Sequence, residues 1–227
     1  MRNSLFSTLL LVTCMQQSFA QADNTSLFNE AKNKLEEKSV TVSQILSDKK
    51  YLSLHPETSF REMIEERCTT GELTITTTDE PGKKIKVQCT VKDQNGNPAS
   101  GLQVYLYQTD ARGWYAADMP HVGGNEGDFR HARLFGYVKT DKNGHFELHT
   151  VKPSGYPKSD LPAHIHIHFS AAGYQSYGTE FLFDDDERLV GNIREQSVRN
   201  QFLIAKPEKT TAPFDQQFSY SITMQRN

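Results

Sequence analysis

Leu161-Pro-Ala-His164-Ile-His166-Ile-His168-Phe169 alternates imidazoles with apolar side chains at intervals of two. In a strand, alternate residues share a face. His164, His166 and His168 therefore point one way, and Ile165, Ile167 and Phe169 the other. The apolar row reads as the core side, and the histidine row as facing a cavity or solvent. Two strand histidines on one face can reach a common metal, for which neutral imidazole is the commonest ligand. Taken singly, a strand histidine is more often a surface or hydrogen-bonded residue, so the metal reading needs further donors.

The chain on either side of this stretch has the same β texture. Ile85-Lys-Val87-Gln-Cys89-Thr-Val91 alternates, Asn95-Gly96 marks a turn, and Leu102 to Gln108 alternates again. Phe135–Thr140 and His145–Val151 read as a hairpin around Asp141-Lys-Asn143-Gly144, and Thr179–Phe183 and Phe218–Met224 as later strands. Short strands at this spacing, with no long helix between them, predict a mainly β fold, an antiparallel β-sandwich. Residues 24–67 differ. Leu27, Phe28, Ala31 and Leu35, then Val42, Ile45 and Leu46, then Phe60, Met63 and Ile64 recur at helical spacing among charged residues. They predict short helices covering one end of the sandwich. The organisation expected is a signal peptide over 1–20, a helical N-terminal cap over 21–72, and the sandwich over 73–227.

A length of 227 residues suits one sizeable domain with a small appendage. Nine Tyr and thirteen Phe supply core material, although the hydrophobic fraction is only 36%. The net charge of -3 is spread without a basic stripe, which argues against a nucleic-acid partner. At the N-terminus, Arg2, the apolar run Leu5–Thr13 and Ser18-Phe19-Ala20 form a plain export signal, too short to span a bilayer. Cleavage near Ala20 would release a periplasmic or secreted protein. Cys68 and Cys89 would then be an even pair in an oxidising compartment, where they form either a disulfide or two free thiols.

Two tyrosines stand at candidate strand ends, Tyr115 in Arg112-Gly-Trp-Tyr115 and Tyr156 in Pro153-Ser-Gly-Tyr156-Pro. Phenolate is a hard anionic donor suited to a trivalent ion, which lowers the phenol's pKa far below its usual value of about 10. Individually each tyrosine is more simply a packing residue with a wet hydroxyl.

At these residues the chain resembles the intradiol ring-cleavage dioxygenases, most nearly the β subunit of protocatechuate 3,4-dioxygenase. The likeness runs from about Lys83 to the last strand. It rests on the order of Ile85–Val91, Gly96-Asn-Pro98, Val104–Gln108, Gly113-Trp-Tyr115, Thr140–Phe146, Lys152–Pro157 and Pro162-Ala-His-Ile-His166. The resemblance implies one non-haem Fe(III) per chain, held by Tyr115, Tyr156, His164 and His166, with no ligand role for His168. It implies a vicinal aromatic diol and dioxygen as substrates, with ring cleavage between the two hydroxylated carbons to a muconate-type diacid. Tyr115 is the tyrosine expected to take a substrate proton. Self-association into a homo-oligomer stays open.

This sequence departs from the family pattern at two positions. Leu161 stands where the family usually has an arginine, and Glu180 where it often has a glutamine. Loss of a cation aimed at developing charge commonly costs on the order of a hundredfold in rate. Arg130 and Arg133 on the preceding loop are the candidate catalytic replacements, with Arg112 nearby. A carboxylate at position 180 would disfavour an anionic substrate unless it is paired. Two rival readings remain: an exported non-catalytic binding module on the same sandwich, and a different metalloenzyme using His164, His166 and His168.

Overall fold

The computed structural model describes residues 23–116 and 132–227. The export signal and Arg130 therefore lie outside the described residues. Among those described, no helix is long and apolar enough to cross a membrane.

The N-terminal helices form where the spacing predicts. α1 (residues 23–36) buries Ala31 and packs Leu27, Phe28 and Leu35 against the core. α2 (Val42–Leu46) starts at Thr41, whose hydroxyl accepts the Gln44 N–H (3.2 Å) while the Gln44 side chain accepts the Thr41 N–H (2.8 Å). That reciprocal cap satisfies two N-terminal donors that the helix itself leaves unpaired. A 3-10 turn (Lys49–Leu54) and α3 (Thr58–Glu66) follow. α3 buries Phe60, Met63 and Ile64, and also Arg61. The Arg61 guanidinium lies 3.5 Å above the Phe135 ring and donates to the carbonyls of His55 and Ala132, which fixes the helix to the sheet beneath.

Among the described residues ten strands follow: β1 (Thr69–Thr70), β2 (Glu72–Thr74), β3 (Lys84–Asp93), β4 (Gln103–Gln108), β5 (Leu134–Lys139), β6 (His145–Val151), β7 (His164–Ser170), β8 (Tyr177–Phe183), β9 (Leu203–Ala205) and β10 (Gln216–Met224). They make a six-stranded sheet in the order β1-β5-β4-β7-β8-β9 and a four-stranded sheet in the order β10-β3-β6-β2. One helix, α4 (Gly191–Arg199), stands between β8 and β9. The inward rows, such as Ile85, Val87, Cys89 and Val91 on β3, are almost completely buried and meet in one core. Aromatic pairs cross between the sheets: Phe181 with Tyr220 at 4.3 Å and Phe183 with Phe218 at 4.8 Å between ring centroids. Each such fully buried side chain is worth about 1.5–3 kcal/mol of transfer free energy, which makes this core the main stabilising element.

The fold is mainly β as expected, but both sheets are mixed rather than antiparallel. β1 runs parallel to β5, β9 to β8, β2 to β6, and β10 to β3 over nine residue pairs. Period-two patterning fixes which face is buried and says nothing about strand direction, so the parallel pairs leave no trace in it. The expected β5–β6 hairpin is also corrected, because the two strands belong to different sheets. The Asp141–Gly144 turn is a corner between layers, with Asp141 Oδ1 accepting the N–H groups of Asn143 and His145 (2.8 Å each). Cys68 and Cys89 are both free thiols. Cys68 follows α3 and leads into the larger sheet, whereas Cys89 is buried in β3 of the smaller one, where burial pushes its thiol pKa up.

Candidate metal centre

β7 presents its rows as the alternation requires. Ile165, Ile167 and Phe169 are buried in the core, while His164, His166 and His168 share the opposite face with increasing exposure. His164 Nδ1 lies 2.8 Å from the Pro162 carbonyl. A carbonyl only accepts, so Nδ1 carries the proton and Nε2 is left with a free lone pair. The Tyr107 ring stacks on His166 at 4.4 Å and 12°, which holds that imidazole flat against β4.

Two loops bring the tyrosines to these nitrogens. After β4 the chain turns through Asp110–Gly113. Asp110 Oδ1 accepts the N–H groups of Arg112 (2.8 Å) and Trp114 (3.2 Å), and Gly113 takes φ +83°, a conformation open mainly to glycine. After β6, the Ser154 N–H donates to the Asp110 carbonyl (3.1 Å) and its own carbonyl accepts from the Thr109 hydroxyl (2.7 Å). The two loops are thus tied to each other directly. Arg188 braces the second loop from its far side, donating to the carbonyls of Tyr156 and Leu161 (3.3 Å each).

The result is a tight quartet. The Tyr115 and Tyr156 hydroxyls are 2.7 Å apart, and His166 Nε2 lies 2.9 Å from Tyr115 Oη. His164 Nε2 is 3.0 Å from Tyr156 Oη and 3.2 Å from His166 Nε2. Tyr115, Tyr156 and His164 are each at least nine-tenths buried. Burial, with the neighbouring Tyr156 second, pushes the Tyr115 phenol well above its usual pKa, so ionising this pair needs a cation beside it. His168 is not part of the quartet. Its ring stacks at 6.1 Å on Tyr105 and 6.2 Å on Tyr107.

Glu180 faces His166 across the β7–β8 pairing, with Oε1 3.7 Å from His166 Nδ1. Its oxygen and one nitrogen each of His164 and His166 lie within 4.8 Å of one another. Burial pushes the Glu180 carboxyl above the usual carboxylate range, and His164 pulls it back. A cavity of about 260 Å³ opens beside Tyr156, His164 and Glu180, roofed by Leu161, Ile193 and Phe202. Tyr115 does not line it. Ile193 carries no sequence signal because α4 buries only Ser197 and lacks a clear helical apolar stripe, and Phe202 stands alone between α4 and the three-residue β9.

Arg133, a candidate catalytic cation by sequence, is committed elsewhere. Its guanidinium donates to both oxygens of buried Glu80 (2.7 and 2.6 Å), lies 3.7 Å from Asp110, and does not line the cavity. Its backbone N–H donates to the Tyr115 carbonyl at 2.8 Å. Arg112 is likewise engaged, with Asp110 (2.7 Å) and over the Trp114 ring at 4.2 Å. Among the described residues, no lysine or arginine lines this cavity, and Leu161 at its edge is half-exposed.

A family model described as a dioxygenase matches residues 59–226. The chain belongs to the intradiol ring-cleavage dioxygenase family. It is 27% identical over 124 residues to an intradiol ring-cleavage dioxygenase of Aspergillus niger, covering 48% of this chain and 36% of that one. It is 27% identical over 128 residues to a chlorocatechol 1,2-dioxygenase of Rhodococcus opacus, covering 49% and 48%. The chain thus spans about half or less of the length of these relatives. A catechol 1,2-dioxygenase from Acinetobacter sp. ADP1 shares the fold with a TM-score of 0.55 over 70% of this chain and 58% of that one, at 17% identity.

Proposed function

We propose that this chain is a non-haem Fe(III) intradiol dioxygenase that cleaves a vicinal aromatic diol with dioxygen. The observation that carries the reading is the convergence of two phenol oxygens and two imidazole Nε2 atoms, each within 3.5 Å of at least two of the others. The donor set fits the ion. Tyr115 and Tyr156 supply hard anionic oxygens, and His164, its tautomer fixed by Pro162, supplies an unprotonated nitrogen. Ferric iron held there would bind the diol in its ionised form and draw charge from the ring, which opens the ring to reaction with dioxygen.

The chain's own residues do the rest. Tyr156, not Tyr115, lines the cavity. On that lining we assign to Tyr156 the proton-accepting role that the resemblance suggests for Tyr115: its Oη can take a proton from a substrate hydroxyl, while Tyr115 lies against His166. Leu161, Leu182, Ile193 and Phe202 give the cavity an apolar lining that seats a flat ring and excludes water. Metal analysis with an absorption spectrum tests the reading: one iron per chain and a wine-red colour that shifts on adding a catechol. A colourless protein that gains nothing from added ferric ion would refute it.

The grouping of His164, His166 and Glu180 favours one second reading, a two-histidine, one-carboxylate centre. Tyr156→Phe separates the two, because only the tyrosinate site loses iron and shows a changed charge-transfer band. We also propose export, on residues 1–20 alone. N-terminal sequencing of the secreted or periplasmic protein would show a start near Gln21.

A further inference from the structure

Resting on the dioxygenase reading above, we propose that the site selects its diol by charge. It takes a catechol with a cationic ring substituent and turns away ring carboxylates, and Glu180 is the specificity-determining residue. The cavity beside Tyr156 and His164 is apolar toward Leu161, Ile193 and Phe202, and polar but uncharged toward Gln196, Ser197 and Asn200 on and just after α4. Among the described residues its lining contains no lysine or arginine, and Glu180 is its one acid.

The neighbouring cations are engaged elsewhere. Arg188 lies against the carbonyls of Tyr156 and Leu161 and lines a separate surface hollow. Arg194 pairs with Asp184 at 2.6 Å, and Arg199 with Glu195 at 3.7 Å. Facing Glu180 from β7 is His166, whose Nδ1 at 3.7 Å is beyond hydrogen-bonding distance. Glu180 is a partly buried carboxyl paired with that imidazole at 3.7 Å, and no lysine or arginine faces it from the described cavity lining. Burying a carboxylate is unfavourable without a partner, and a like charge brought beside it is more so. A substituent ammonium meets that carboxyl as a counter-charge, whereas a substituent carboxylate meets Glu180 and finds no arginine at position 161.

The test uses iron-loaded protein and three catechols substituted at the same ring carbon: aminoethyl, methyl and carboxylate. Anaerobic dissociation constants, read from the visible spectrum and by calorimetry, should rank aminoethyl tightest and carboxylate weakest, with at least about tenfold between the extremes. In Glu180→Gln, which keeps the side chain's shape, that ratio should fall about tenfold while iron content is unchanged. A wild-type protein that prefers the carboxylate, an unchanged ratio in Glu180→Gln, or loss of iron from that variant would each overturn the proposal. Oxygen uptake keeps the two readings apart. Charge-ordered binding with no uptake from any catechol refutes the dioxygenase reading and leaves the selection standing, whereas absence of binding by all three refutes both.

Discussion

Gly113 lies directly against Gly155, so the loop that delivers Tyr115 and the loop that delivers Tyr156 meet backbone to backbone. A Cβ at Gly113 would run into the Gly155 carbonyl oxygen, and Gly113 sits at φ +83°. The 2.7 Å spacing of the two tyrosine hydroxyls depends on that approach. Gly113→Ala should therefore lower stability by about 2 kcal/mol or more, part of it from the left-handed conformation itself. It should also reduce iron content and visible absorption. Gly96→Ala is the control: it has nearly the same φ (+82°) and no heavy atom within 4 Å of the added Cβ. It should show the conformational cost alone and keep its colour. A Gly113→Ala protein with full colour would mean that the loops do not need this contact.

The two tyrosines should separate in their effects. Tyr115→Phe and Tyr156→Phe each remove one phenol from the quartet, and both should lower iron content and change the charge-transfer band. Tyr156 also faces the cavity. In whatever iron-loaded fraction remains, Tyr156→Phe should lose a further hundredfold or more in kcat, the scale of a lost proton acceptor. Metal analysis and single-turnover kinetics on metal-normalised samples check this. Equal kcat in the two variants would return the proton to Tyr115 or to solvent.

Legibility in the sequence followed physical scale. The β7 face was readable because an apolar row and an imidazole row alternate without a break from His164 to Phe169. The quartet was readable only from the order of its motifs, since Tyr115 and His166 are 51 residues apart. Strand direction was not readable, and neither were β1, β2 and β9, which are two or three residues long and too short to show a period. The commitment of Arg133 was invisible for another reason. Its partner Glu80 lies 53 residues away, and a loop arginine beside a candidate site looks the same whether it meets substrate or a buried carboxylate.

That difference can be measured on Arg133 itself. Arg133→Ala strands Glu80, which is buried, and weakens the support of Asp110. Removing one partner of a buried pair typically costs about 3–5 kcal/mol, so the denaturation midpoint should fall sharply. Arg133→Lys keeps the charge but loses the two-pronged contact, and should be destabilised less. If Arg133 does not touch substrate, KM for a catechol in the folded Arg133→Lys protein should equal that of the unmodified protein. A KM raised tenfold with stability intact would restore the substrate-contacting role.

His55 should dominate one part of the acid response. It is buried between Phe60 and Phe135, its Nδ1 donates to the Arg133 carbonyl at 2.7 Å, and its Nε2 has no hydrogen-bond partner among the described residues. Burial lowers its pKa from 6.5 to about 4, with the Arg133 carbonyl opposing and the nearby Arg133 and Arg61 charges adding to the drop. A depressed histidine pKa means that the unfolded chain binds the proton more readily than the folded one. Stability from this residue is therefore full above about pH 6.5 and is lost as pH falls towards 4. The loss should reach about 3 kcal/mol at most. His55→Asn, which can still donate to the Arg133 carbonyl but cannot titrate, should begin less stable from the packing it gives up. Its denaturation midpoint should then decline less between pH 6.5 and 4 than that of the unmodified protein. Parallel declines in the two proteins would assign the acid sensitivity to the carboxylates instead.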